Sequence, residues 1–308
     1  MKTIASSSDG ERLLEEFREH LLNAQGLALR TCSARVSCVR AFLEQQLRIK
    51  GQKLELPELT PEDVLNYVLE RSAQNSPGTL QALASALRSF GRFLQFSGRS
   101  PHALTSALPR IASPGRACLP DYLKPEELIA LLESIDTTNP SGLRNYSIVL
   151  CLARLGLRAS EVAALTLEQI QWRTGVIILG GGKGRRERQL PLPQDVGKAI
   201  TDYLRCREIK ANSRRVFSAI RDGEALSPAA VSQVVRRALQ EAGIQTPRPG
   251  AHLLRRTLAS HLVQHGVSLK AVADLLGHRC LDTTRIYASV NHSMLQEVSR
   301  PWPTEVTR

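Results

Sequence analysis

Aromatic residues make up only 4% of this 308-residue sequence. That is too few for an aromatic-rich β-sandwich, so the cores fall to Leu, Val, Ile and Ala, which suit helix packing. Nowhere do roughly 18 apolar residues run together, which argues against a membrane-spanning helix. The opening stretch, MKTIASSSDGERLLEEFREH, has no apolar segment of the kind a secretory leader carries. Cys32, Cys38, Cys118, Cys151, Cys206 and Cys280 form neither CxxC pairs nor a compact spacing. Free thiols in a reducing compartment, and a soluble cytoplasmic protein without a membrane partner, are therefore expected. Repeats and low-complexity tracts are absent too. Gly180, Gly181 and Gly182 precede Lys183, but Gly184 and Arg185 follow it, where a P-loop needs Ser or Thr directly after the lysine. His261 and His265 stand one helical turn apart, yet HLVQH lacks the glutamate of HExxH and no third ligand is specified. No metal is expected there, and packing or helix-surface roles are.

What the chain has in excess is positive charge. Forty-one Lys and Arg against 29 Asp and Glu give a net charge of +12, which favours a polyanionic partner because each neutralised phosphate releases counterions. The length exceeds what one core usually spans, so two domains of unequal size are expected. Leu13, Leu14, Phe17, Leu21 and Leu22 mark a first helix, and Val36, Val39, Phe42 and Leu43 a second running from about Ser33 to Leu47. Thr60, Pro61 and Asp63 are a helix start with an N-cap hydroxyl, proline at N1 and a carboxylate at N3. A further helix begins near Gly78 and Thr79 and ends at Gly98. The prolines and small residues from 109 to about 122 read as a linker, separating a helical region (1–108) from a second domain (123–308).

In that second domain helical patterns start near Pro125 and near Arg144, the latter broken by Gly156. The first strand signature of the chain is GVIILG at Gly175–Gly180, followed by the polar turn GGGKGRRER and the short strand QLPLP. Helices resume at about Val196–Arg207, at Pro228–Ala242 with Ser227 as cap, and from His252 onward. The fold class expected is mainly α, with a helical N-terminal part and an α+β second domain holding a small antiparallel sheet.

Six residues in this domain share one chemical theme. Arg158 follows the Gly156–Leu157 break with Glu161 one turn on, and Lys183 sits among glycines at the hairpin tip. His252 and Arg255 are three apart on one helix face, about 5–6 Å between Cβ atoms. His278 follows Gly277 at an apparent helix end, and Tyr287 comes nine residues later. Cations and imidazoles of this kind suit a phosphorane carrying developing negative charge, and a phenol can supply the attacking oxygen. Each signal alone is weak. Arg158 and Glu161 could be a surface pair worth under about 1 kcal/mol, and a lone tyrosine is more often packing than catalyst.

Taken together, LGLRASEVAAL, GGGKGRRER, HLLRRTLASH and LLGHRCLDTTRIY closely resemble the tyrosine site-specific recombinases, the phage-integrase and Xer-like family. The resemblance covers about 123–290 in detail and the N-terminal part in layout only. It implies a recombinase that cuts and rejoins DNA through a 3′-phosphotyrosyl intermediate and exchanges strands via a Holliday junction, with no cofactor or metal. Tyr287 would be the nucleophile, and Arg158 and Arg255 would hold the non-bridging oxygens. Lys183 would protonate the leaving 5′-oxygen, His252 would assist at the phenol and His278 would donate to the phosphate. The resemblance further implies a core-binding domain and a catalytic domain clamping double-stranded DNA, with four protomers meeting on paired half-sites and a monomer free in solution. Arg256 stands where relatives commonly carry histidine, either ion-paired within the fold or touching DNA. The short N-terminus leaves no clear room for an arm-site domain. Competing readings are a DNA-binding accessory protein without catalysis and a type IB topoisomerase-like relaxing enzyme.

Overall fold

A computed structural model describes residues 3–4, 7–51, 54–100, 103–106, 108, 111, 121–180, 187–207, 214–219, 224–277 and 284. The chain divides into two compact units, residues 1–117 and 118–308.

Among its described residues the first unit holds four α-helices, α1 (Ser7–Asn23), α2 (Leu29–Ile49), α3 (Pro61–Ser72) and α4 (Pro77–Phe96). Their apolar positions recur at helical spacing, so each helix turns one stripe inward. Leu13, Phe17 and Leu21 meet Val39 and Phe42, Tyr67, and Leu87, Phe90 and Leu94 in a single core. Phe17 meets Phe90 edge-on with centroids 5.3 Å apart. The Thr60 signal holds at atomic level. The Asp63 N–H donates to Thr60 Oγ1, and the Thr60 N–H donates to Asp63 Oδ2, closing a capping box ahead of α3. For α4 the start lies at Pro77, ahead of the expected Gly78, because Ser76 caps the helix by accepting from the Thr79 N–H. A strand pair that no sequence pattern announces also belongs here. In it β1 (Thr3–Ile4) runs antiparallel to β2 (Leu54–Glu55).

In the second unit α5 (Pro125–Glu133) and α6 (Pro140–Leu155) lead to α7 (Ala159–Ala164). Helix α6 begins four residues before the expected Arg144. Asn139 caps it by accepting from the Gly142 N–H at 2.8 Å, with Pro140 at the first helical position. Every residue from Ser147 to Ala153 is buried, the mark of a helix apolar on all sides and wrapped by its neighbours. The sheet has three antiparallel strands in the order β3 (Ile170–Gln171), β4 (Val176–Leu179) and β5 (Arg188–Pro191). The expected hairpin is its β4–β5 half, and β3 extends it through Ile170 opposite Ile177. Four more helices follow, α8 (Gln194–Cys206), α9 (Pro228–Glu241), α10 (Ala251–Gln264) and α11 (Leu269–Leu276). Ile148 and Leu152, Ile177 and Leu190, Val196 and Ile200, and Val231, Leu253 and Leu254 share one core. The fold is mainly α with a small antiparallel sheet. Among the described residues no helix is long and apolar enough to cross a membrane.

Candidate active site

Helix α6 ends at Gly156 (φ 61°) and α11 at Gly277 (φ 62°), both in the left-handed conformation that terminates a helix and suits glycine. The final carbonyls of a helix have no intrahelical partner and carry the negative end of the macrodipole, so they form a seat for cations. Three arginines occupy it. Arg255, one turn into α10 from His252, donates Nη1 to Gly156 O and Nη2 to Leu276 O, both at 2.5 Å. Arg158, in the extended N-cap position of α7, donates Nη2 to Gly277 O at 2.8 Å. Arg188 on β5 donates Nη1 to Leu276 O at 2.5 Å. Arg158 and Arg255 thus land on consecutive carbonyls at the end of α11, although 97 positions separate them in the sequence.

Glu161 joins two of these guanidinium groups. Its Oε1 accepts from Arg158 Nη1 and its Oε2 from Arg188 Nη2, each at 2.8 Å, while Oε2 also accepts the Arg158 backbone N–H at 2.8 Å. Burial alone would raise its pKa. The backbone hydrogen bond from Arg158 and the charges of Arg188 and Arg158 outweigh that and hold the carboxyl below the ordinary glutamate value. The Arg158–Glu161 pair is therefore half of a three-residue network rather than an isolated surface bridge.

Arg158 keeps 27% of its side-chain surface open, whereas Arg255 is 2% exposed. Of the two, Arg158 has the more accessible side chain. His252 is exposed at the N-terminal turn of α10. Loss of surrounding solvent, then the charges of Arg256, Arg255 and Arg158, push its pKa below the ordinary imidazole value. The shift favours the neutral imidazole. Protonation then favours the unfolded chain between the ordinary value near 6.5 and the lowered native one, so this group's contribution to stability falls as pH drops through that window. Arg256→Gln removes one of the cations and is expected to raise the His252 midpoint, read by NMR titration of the ring. An unchanged midpoint would remove Arg256 from the account.

Arg256 itself lies inside the fold. Its Nε donates to Asp121 O at 2.9 Å and its Nη2 to Asp121 Oδ2 at 3.1 Å, while Thr246 Oγ1 donates to the same Oδ2 at 2.8 Å. Of the two roles open to it in the sequence, ion pairing within the fold is the one observed. Further along α10, Thr257 Oγ1 accepts the Leu123 N–H at 2.9 Å, His261 Nε2 donates to Leu123 O at 3.0 Å, and Gln264 Nε2 donates to Tyr122 Oη at 2.9 Å. His261 is occupied with this backbone contact, and among the described residues no three His, Cys, Asp or Glu side chains cluster.

The structure thus brings Arg158 and Arg255 to one seat, with His252 a turn away from Arg255. Lys183, His278 and Tyr287 lie outside the described residues. Arg188 was not anticipated. A signal for it existed, since it precedes buried Leu190 by two residues on β5 and so shares its inward face.

Residues 121–294 match the family model described as "Phage integrase family". Over 299 residues the chain is 36% identical to a putative integrase/recombinase, y4rA, of Sinorhizobium fredii, covering 96% of this chain and 72% of the relative. A tyrosine recombinase of Pseudothermotoga lettingae is 30% identical over 285 residues, 91% of this chain and 94% of that one. A crystal structure of the XerH site-specific recombinase bound to palindromic difH substrate superposes with a TM-score of 0.76 at 22% identity, covering 95% of this chain and 83% of that one, and so shares the fold. A mainly α chain with a small antiparallel sheet has the architecture of the tyrosine recombinases, and the chain belongs to the phage integrase family of tyrosine recombinases. Its activity is site-specific DNA recombination of the tyrosine-recombinase type.

Proposed function

We propose that the chain cleaves and rejoins double-stranded DNA through a 3′-phosphotyrosyl intermediate at a site formed by Arg158, Lys183, His252, Arg255, His278 and Tyr287. The observation that carries this reading is the shared seat of Arg158 and Arg255 on the last carbonyls of α11, beside the exposed imidazole of His252. The Tyr287 hydroxyl attacks phosphorus and the bond to the 5′-oxygen breaks. His252, held neutral by its neighbours, is suited to take the phenol proton. Lys183 returns a proton to the leaving 5′-oxygen, and His278 donates to the phosphate. Arg158 meets the non-bridging oxygens directly, and Arg255 supplies its charge from beneath, where fixed cations stabilise the extra charge of the transition state.

The new ester preserves the energy of the old one, so a 5′-hydroxyl from a second strand reverses the step without ATP or a metal. Four protomers on paired half-sites would pass two strand pairs through a Holliday junction, with residues 1–108 and 123–308, joined by 109–122, each contributing to DNA binding. The basic balance of the chain, +12, supports such a partner.

The test uses suicide duplexes drawn from DNA flanking the chain's own gene, without divalent metal, and sequences the covalently trapped ends. The native protein is expected to form a 3′-linked adduct and Tyr287→Phe none. An adduct that survives in the variant would overturn the nucleophile assignment.

A further inference from the structure

We infer that Arg188 is a positioning residue for DNA cleavage, acting by fixing both Arg158 and the C-terminal turn of α11. The inference deepens the reading above and rests on Arg158 as a phosphate-holding group. The side chain of Arg188 is 13% exposed, less than half the figure for Arg158, which sets it apart from an arginine carried for solubility. Its two terminal nitrogens point to different elements. Nη2 meets Glu161 Oε2 on α7 and Nη1 meets Leu276 O at the end of α11. Those are the two elements between which Arg158 is stretched, through Glu161 Oε1 and Gly277 O. The planar fork of a guanidinium can satisfy both at once, and a lysine ammonium on its flexible stem cannot hold the same spacing.

The fit extends to the backbone. A Cβ on Gly277 would run into Arg188 Nη1, so the left-handed turn that ends α11 also opens the space that the guanidinium fills. Glu161 divides its oxygens between Arg158 and Arg188. Without Arg188, Glu161 could swing wholly toward Arg158, and the α11 carbonyl would lose one of its two guanidinium donors. Arg158 would then sit in a looser cradle, and displacements of about 1 Å at such a group cost on the order of 10²-fold in rate. Arg188 also ties β5 to the seat of Arg158 and Arg255.

The experiment compares Arg188→Met, Arg188→Lys and the native full chain, with Arg205→Met as a control at an exposed arginine (78%). On a suicide duplex captured covalently by the native protein, Arg188→Met is expected to cleave about 30- to 100-fold more slowly in single turnover while its DNA affinity stays within about threefold. Arg188→Lys keeps the charge and is expected to melt near the native temperature yet still lose about tenfold in rate. Independently of any DNA, hydrogen exchange at Leu269–Gly277 should quicken about tenfold in Arg188→Met and not in Arg205→Met. A cleavage rate within threefold of native in both Arg188 variants, a loss of rate matched by loss of DNA affinity, or unchanged exchange at the end of α11 would overturn the inference. Arg158→Ala and Tyr287→Phe run alongside on the same duplex. If they fail to cleave while the Arg188 variants cleave normally, the inference alone falls. If Tyr287→Phe still forms the adduct, the catalytic reading falls first.

Discussion

Replacing Arg255 with methionine is expected to cost the second unit about 3 kcal/mol of stability and to slow DNA cleavage at least about 10²-fold. The guanidinium is 2% exposed and closes two charge-assisted hydrogen bonds, to Gly156 O and Leu276 O, at the ends of two different helices. Methionine retains much of the aliphatic volume, so cavity formation is a small part of the loss. The larger part is Gly156 O stripped of its guanidinium donor, at about 1–3 kcal/mol, together with Leu276 O left to Arg188 Nη1 alone. Removing a buried charge also removes its desolvation penalty, which offsets some of this. For a unit of this size each kcal/mol lowers the melting temperature by about 2–4 °C. Thermal unfolding followed by circular dichroism should therefore show a drop of roughly 6–12 °C, and cleavage should be assayed well below the variant's transition. A drop under about 2 °C would show that the two carbonyls find other donors and that Arg255 does not hold α6 to α11.

Glu161→Ala is expected to cost about 2 kcal/mol and about 10²-fold in cleavage. Its carboxylate is 14% exposed and serves Arg158 and Arg188 at once. Deleting it leaves two guanidinium groups facing each other without their shared counter-charge and removes the acceptor for the Arg158 N–H at the start of α7. Partial exposure of Arg158 keeps the penalty below that of a fully buried pair. The pH dependence separates this account from simple loss of packing. Glu161 has a lowered native pKa, so its contribution to stability is complete above the unfolded value near 4.3. It is lost as pH falls through the lower native value. Glu161→Gln should therefore melt below native at pH 7 and converge on it in acid. A constant gap at all pH values would mean that the carboxylate charge is not what matters.

Much of this architecture could be read before any coordinates, and the parts that could not share a physical reason. The Thr60–Pro61–Asp63 and Ser227–Pro228 starts are local, because a hydroxyl bonds to an amide three residues on, and both occur where expected. Asn139–Pro140 is the same kind of signal, but it stands four residues ahead of Arg144, where the helical pattern of α6 begins in the sequence. Strands β1 and β3 are two residues long, too short to show alternation, and β1 exists only by pairing with residues about fifty positions away. For the site, the wording around Arg158 and His252–Arg255 singled out side chains that the fold brings to one place. It gave no hint that Arg255 would be covered while Arg158 stayed partly open, since both depend on where two helices happen to end. Arg188 was hidden among Arg185 and Arg186 because only strand register separates an inward arginine from an outward one. The role of Arg256 was undecidable until Asp121, 135 positions earlier, came to lie against it.

That last contact gives the chain a mechanical property. Asp121, Tyr122 and Leu123 are fastened along α10 by Arg256, Thr257, His261 and Gln264, the last four spread over two turns of the helix. The same helix carries His252 and Arg255 on its first turn and a half. Because Asp121 is tied to Arg256, the neighbour of Arg255, the segment that leads into α5 is anchored on the same stretch of helix that holds His252 and Arg255.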